Sequence, residues 1–187
     1  NFWTTLNPMP TPRSRLGAGV VNGILYAVGG LNGDNLNTVE AYDPSTDTWT
    51  TKAPMPTARQ SLAVGVVNGI LYAVGGSGDA GAVNTVEAFD PAMNTWSTKA
   101  PMLTARYRFG LGVINGRLYA VGGYGDRSML ASVEAYNPAT NTWTPKAPMQ
   151  KARVSQGVGV AGRMLYSIDG CCMGRTIHEV NTNWAFT

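Results

Sequence analysis

The chain has 187 residues, of which 44% are hydrophobic and only 13% charged, with 23 glycines and 11 prolines. That is the length of one domain with enough apolar residues for a core; it excludes a disordered tail and favours short strands with tight turns over long solvated helices. The formal net charge is +3 with the basic residues scattered, and no apolar run approaches the roughly 20 residues needed to cross a bilayer, so neither nucleic acid nor a membrane is expected as partner.

The chain opens at Asn1 rather than Met, which reads as a processed end, a trimmed tag or the edge of an excised piece. Trp3, in the segment NFWTT, is the first of a series: Trp49 lies 46 residues later, and Trp96 and Trp143 follow at steps of 47. One domain, residues 1–187, therefore divides into repeat units 3–48, 49–95, 96–142 and 143–187. A period between 40 and 50 residues, with no helical periodicity and one Trp per unit, fits propeller blades of four strands.

The second unit gives the strands from turn chemistry. Leu62 to Val67 and Ile70 to Val74 are β-branched runs joined by Asn68-Gly69, a hairpin signal because both residues tolerate positive φ. These are strands a and b. Val86 to Phe89 alternates and makes strand c, Asp90-Pro91 through Asn94 supplies turn formers, and Trp96 to Lys99 makes strand d. The fold class is all-β, with four blades of four antiparallel strands. NFWTT and NWAFT then supply five strand-d segments for four a–b hairpins. The ring can close on itself with one surplus strand, be completed by a second chain pairing its edge strands, or belong to an excised or engineered propeller fragment that self-assembles.

The doublets Gly29-Gly30, Gly75-Gly76 and Gly122-Gly123 follow strand b, Tyr42, Phe89 and Tyr136 sit on strand c, and Trp49, Trp96 and Trp143 open strand d. In this ordered set the chain resembles the kelch-repeat family over nearly its whole length. The fourth unit departs, with Asp169-Gly170 in place of the doublet and only 41 residues from Trp143 to Trp184. These repeated positions read as structural: each Trp packs between neighbouring sheets, and each doublet permits close backbone approach. Arg13, Arg59, Arg106 and Arg153 recur at one position and Glu40, Glu87 and Glu134 at another, which suggests ion pairs between adjacent blades. Asp34, Asp79 and Asp126 follow a glycine in each b–c loop and are expected to close their own turns.

Strands and a–b turns barely change between units, whereas the b–c loops differ in every copy, as do Ser14, Gln60, Tyr107 and Val154 in the connection from d to a. Both segments leave a blade on the same side, so one rim carries the variation. Its richest patch is Tyr107, Arg108, Tyr124, Arg127 and Met129, with Arg175 from the next b–c loop. Tyr and Arg anchor interfaces, so the expected partner is a protein, a peptide or a glycan.

Catalysis, metal and cofactor are not expected. The lone His178 has Glu179 beside it but no companion ligands at metal spacing, and no nucleophile elbow or phosphate-cradling loop occurs. Cys171 and Cys172 are neighbours and cannot staple distant strands. The family resemblance nonetheless brings an enzymatic alternative, since some kelch-like propellers are sialic-acid mutarotases or copper radical oxidases. In that case Arg13, Arg15, Arg59, Arg106 and Arg153 would hold an acidic sugar in the funnel.

Overall fold

The computed structural model describes residues 2–168 and 170–171 and the backbone of 183–186. Strands β1 (Gly17–Val21), β2 (Ile24–Val28), β3 (Val39–Asp43) and β4 (Thr48–Lys52) form the first antiparallel sheet, in that order. The second holds β5 (Ala63–Val67), β6 (Ile70–Val74), β7 (Val86–Asp90) and β8 (Thr95–Lys99). The third holds β9 (Gly110–Ile114), β10 (Arg117–Val121), β11 (Val133–Asn137) and β12 (Thr142–Lys146). In the fourth, β13 (Gly157–Ala161), β14 (Met164–Ile168) and β15 (Asn183–Phe186) are described. These are four successive kelch-type blades, and the a–b hairpins turn as expected, with Asn68 and Gly69 at φ 51° and 77°.

The core lies between blades. Val21, Tyr26 and Val28 of the first blade pack with Leu71, Ala73 and Phe89 of the second, and Tyr72 and Val74 of the second pack with Leu118, Ala120 and Tyr136 of the third. The strand-b and strand-c aromatics meet edge-on across the seam, Tyr26 on Phe89 and Tyr72 on Tyr136, both at 5.8 Å. Leu71 and Leu118 are fully buried in these seams, each worth about 2 kcal/mol. First strands of successive blades also pack on one another, which is why they carry glycine. A Cβ on Gly65 would stand 2.6 Å from Leu118, and one on Gly19 would stand 2.8 Å from Val64.

Trp96 and Trp143 belong to the clusters between neighbouring sheets, and the tryptophans carry a second role that the sequence did not show. Each leans on the strand-c aromatic of its own blade at 5.1 Å (Trp49 on Tyr42, Trp96 on Phe89, Trp143 on Tyr136). Its indole N–H donates to the carbonyl of Asn7, Ala53 or Ala100, in the connection entering that blade, at 2.9–3.0 Å. The Trp latches a blade's last strand to its incoming connection; only Trp143 is buried, the other two being half-buried. Trp3 is fully exposed and NFWTT forms no strand among its described residues, so it is not a strand-d segment. NWAFT also differs from expectation. The backbone of Asn183–Phe186 pairs directly with β14, Ile168 opposite Asn183 and Leu165 opposite Phe186, the register in which Val28 and Leu25 face Val39 and Tyr42. It takes the place of strand c, not strand d.

The arginine–glutamate pairs also differ, being within blades rather than between them. Arg13 meets Glu40 at 3.0 Å, Arg59 meets Glu87 at 2.9 Å, and Arg106 meets Glu134 at 2.5 Å, all nearly inaccessible. What crosses the seam is the arginine's backbone: Arg59 N–H donates to Leu36 O and its carbonyl accepts from Gly30 N–H in the first blade, while its side chain bonds Ala73 O and Thr85 O in the second. Burial pulls the Arg59 guanidinium down to about 10 against the opposing pull of Glu87, so it stays charged at neutral pH.

Tyr136 gives a pH-dependent consequence. Burial, with Tyr72 beside it, raises its phenol to about 12 from an ordinary value of 10. A group whose folded value is raised stabilises fully below its unfolded value, and that contribution drains away as pH climbs from about 10 to 12. Tyr136→Phe fits the pocket, since Phe89 occupies the same place in the second blade, but it loses the hydroxyl's 2.7 Å hydrogen bond to Asn141. The variant is expected to be slightly weaker at pH 7 and to lose less stability than the parent between pH 10 and 12. Urea melts at both ends of that range check this; parallel losses would refute it.

Candidate functional site

The rim is built by one backbone device repeated in each blade. The residue before the left-handed turn of each d–a connection pairs with the start of the same blade's b–c loop: Ser14 with Leu31, Gln60 with Ser77, Tyr107 with Tyr124, and Val154 with Cys171. Two N–H···O bonds close each pair, those between Tyr107 and Tyr124 measuring 3.0 and 2.9 Å. The two variable segments of a blade are thus zipped together, and the positions that differ between repeats are the zipper residues. The glycine doublets permit this. Gly75 and Gly76 have φ of 55° and 110°, and a Cβ on Gly75 would lie 2.6 Å from Arg106 O, on the connection that crosses it.

The next residue in each connection is Arg15, Ser61, Arg108 or Ser155, all left-handed at φ 51–57°. Such a conformation costs a non-glycine residue about 1 kcal/mol or more and persists only where the surroundings fix it. Here a chain of backbone hydrogen bonds running from blade to blade does so. Ser61 N–H donates to Arg15 O at 2.7 Å, Arg108 N–H to Ser61 O at 3.1 Å, and Ser155 N–H to Arg108 O at 2.8 Å. Two of the four members of this belt are arginines.

Against the belt lies a shallow cavity of about 200 Å³ lined by Arg15, Gln60, Ser61, Ser77, Tyr107 and Arg108. Every lining side chain can donate a hydrogen bond, and none is acidic. Arg15 donates to Gln60 Oε1 at 2.8 Å, the Arg108 guanidinium stands 5.9 Å over the Tyr107 ring, and that ring packs on Tyr124 at 5.6 Å. The cavity suits an anionic group, a carboxylate above all.

Of the residues expected at the site, Tyr107, Arg108, Tyr124 and Met129 are brought together, Tyr124 bridging both Tyr107 and Met129. Arg127 is exposed at the tip of the same loop, and Arg175 lies outside the described residues. Ser61 and Ser77 are additions, and so is Arg15 at this rim, being expected only in the funnel of the enzymatic alternative. Their signal was positional, each standing one residue beyond a variable position or opposite one, but no residue type marked the left-handed turn. Of the funnel arginines, Arg13, Arg59 and Arg106 are consumed by their glutamates. Asp79 accepts from the Asn35 side chain at 2.7 Å, joining two neighbouring b–c loops rather than closing its own turn. Among the described residues no three His, Cys, Asp or Glu side chains gather at metal-binding distance, and no helix is long and apolar enough to cross a membrane.

A blade repeat zipped in this way, with its glycine doublet, buried Arg–Glu pair and latching Trp, defines a kelch propeller. The KLHDC2/KLHL20/DRC7 Kelch-repeats domain family matches residues 2–170, and the chain belongs to the kelch-repeat family. It is 45% identical to F-box protein AFR of Arabidopsis thaliana over 51 residues, 26% of this chain and 14% of that protein. It is 60% identical to Kelch-like ECH-associated protein 1A of Danio rerio over 30 residues, 16% of this chain and 5% of that one. Among solved structures it is similar to YjhT, with a TM-score of 0.78 at 19% identity, over 89% of this chain and 60% of that chain. The chain therefore spans a small part of these curated relatives and under two thirds of YjhT.

The likeness to YjhT overturns one expectation, that this chain is not an enzyme. The propeller it shares is a scaffold that carries catalysts as well as binding modules, so neither the fold nor the lack of a familiar motif sets it apart from enzymes.

Proposed function

We propose that this kelch domain binds a protein partner on the rim formed by its d–a connections and b–c loops, and that the partner offers a carboxylate-bearing segment to the cavity between Arg15 and Arg108. One observation carries this reading: two rim arginines, held by a strained backbone belt, flank a cavity whose lining side chains can all donate hydrogen bonds and which is walled by Tyr107, itself packed on Tyr124. The tyrosines supply rigid apolar area and the arginines supply charge, the usual composition of an interface anchor. Met129 and Arg127 extend the same patch along the third blade's loop.

The test is fluorescence anisotropy with a fixed panel of labelled decapeptides, acidic, neutral and basic. The acidic members are expected to bind best and to weaken with salt, because rim charges are screened. Arg15→Ala with Arg108→Ala is expected to weaken that binding about tenfold or more, as is Tyr107→Ala with Tyr124→Ala, each truncated anchor costing more than 1 kcal/mol. Equal binding of basic and acidic peptides, or no change in the double arginine variant, would reject the site.

A further inference from the structure

Asn-Gly occurs four times in this chain, at Asn22-Gly23, Asn32-Gly33, Asn68-Gly69 and Asn115-Gly116. It is the pair most open to self-modification, because glycine has no side chain to shield its backbone nitrogen from the preceding amide. All four asparagines are exposed, so access to water does not tell them apart. Backbone freedom does.

Three of the four stand at the centres of a–b hairpins. Asn22, Asn68 and Asn115 are left-handed at φ 49–51°, and Gly23, Gly69 and Gly116 follow at φ 70–81°. Each turn is closed by the last pair of a ladder that runs the length of both strands: Val21 opposite Ile24, Val67 opposite Ile70 and Ile114 opposite Arg117. Joining the glycine nitrogen to the asparagine Cγ requires the asparagine backbone to rotate out of its turn, which must first unpair the end of the sheet.

Asn32-Gly33 is held differently. It lies in the b–c loop of the first blade, between the two-residue strands Leu31–Asn32 and Asp34–Asn35, which make a separate two-stranded ribbon. A ribbon that short is marginal by itself. Asn32, Gly33 and Asp34 are all exposed, and a Cβ on Gly33 would meet nothing within 4 Å. The tip can turn without disturbing a blade, since the loop is closed below it by the Ser14–Leu31 pair and by Leu36 N–H donating to Gly30 O at 2.9 Å.

We infer that Asn32 is a site of spontaneous modification, closing onto the Gly33 nitrogen and becoming isoaspartate and aspartate while the hairpin asparagines persist. The Gly33 N–H gives its proton to hydroxide and the nitrogen attacks Asn32 Cγ. The Cγ–Nδ2 bond breaks, and ammonia leaves with a proton taken back from water. Water then opens the five-membered imide. Opening at the main-chain carbonyl gives isoaspartate, whose backbone runs through Cγ and is one carbon longer; opening at Cγ gives aspartate. Either product adds a negative charge to the rim, one residue from Leu31, whose partner Ser14 precedes Arg15. Resting on the rim site proposed above, that charge opposes an acidic partner, so affinity falls as the protein ages.

The experiment keeps the full chain in mildly alkaline buffer, folded and, in parallel, unfolded in guanidinium chloride. Samples taken over weeks are mapped by mass spectrometry with electron-transfer fragmentation, which tells isoaspartate from aspartate. In the folded protein Asn32 is expected to convert about tenfold faster than Asn22, Asn68 or Asn115, and in the unfolded chain the four rates are expected to converge. Hairpin asparagines that convert as fast as Asn32 in the folded protein overturn the inference. So does the same spread of rates in the unfolded chain, which would make local sequence the cause. The effect of charge is read with Asn32→Asp, expected to bind the acidic decapeptides about two- to threefold more weakly at low salt and like the parent at high salt. Unchanged binding at low salt overturns that effect if the Arg15→Ala, Arg108→Ala double variant still weakens the same peptides. A double variant that binds normally sinks the rim site instead and leaves the modification standing.

Discussion

Glu87→Ala is expected to destabilise the protein by about 3–5 kcal/mol, the range for removing one partner of a buried ion pair. Glu87 and Arg59 are 1% and 0% exposed; the carboxylate is ion-paired with the guanidinium at 2.9 Å and accepts from the Thr57 hydroxyl at 2.8 Å. Without it the guanidinium keeps Ala73 O and Thr85 O as acceptors, but its charge is left in the seam uncompensated. The damage spreads, because the Arg59 backbone also holds the first blade at Gly30 and Leu36. Glu87→Gln keeps the shape and an acceptor for Thr57, so it should cost clearly less than the alanine variant. Urea unfolding followed by tryptophan fluorescence measures both, and a loss below 1 kcal/mol in the alanine variant would mean that the pair is not a seam anchor.

Gly75→Ala is expected to cost roughly 3 kcal/mol, of which 1–2 comes from placing a Cβ in the left-handed region and the rest from displaced neighbours. Its φ is 55°, and the new Cβ would meet Arg106 O at 2.6 Å, Met102 Cε at 2.8 Å and Phe109 Cε1 at 2.9 Å. The methionine can swing aside; the carbonyl cannot, because it accepts from Gly76 N–H. The same substitution at Gly69, in an open hairpin turn with nothing within 4 Å, carries only the conformational cost. A thermal melt of the two variants separates the terms: equal losses would show that the doublet needs glycine for φ alone and not for the crossing connection.

How far residue patterns reach is shown by two pairs of elements. The Asn68-Gly69 hairpin and its flanking strands were legible to within a residue or two, because local turn chemistry sets them. NFWTT and NWAFT look alike as Trp-bearing segments, yet one forms no strand among its described residues and the other pairs beside β14. Which neighbour an isolated strand pairs with is a long-range choice that its own composition does not encode. At the rim the variable positions Gln60 and Tyr107 were visible by comparing repeats, and the structure turns them into zipper residues. Arg108 was visible in the rim patch by residue type and Arg15 among the funnel arginines, but their left-handed turn, shared with Ser61, was not legible, because a turn built from Arg or Ser lacks the glycine that usually announces it.

By itself the sequence determined the repeat, the four strands of a regular blade and the side on which variation gathers, all of which follow from local propensity and a fixed period. The partners of Arg13, Arg59 and Arg106, the latching role of Trp and the belt linking the rim arginines were decided by the tertiary structure. They depend on how one blade's backbone meets the next, and that meeting is set by packing across the seam rather than by any residue's preference for its own conformation.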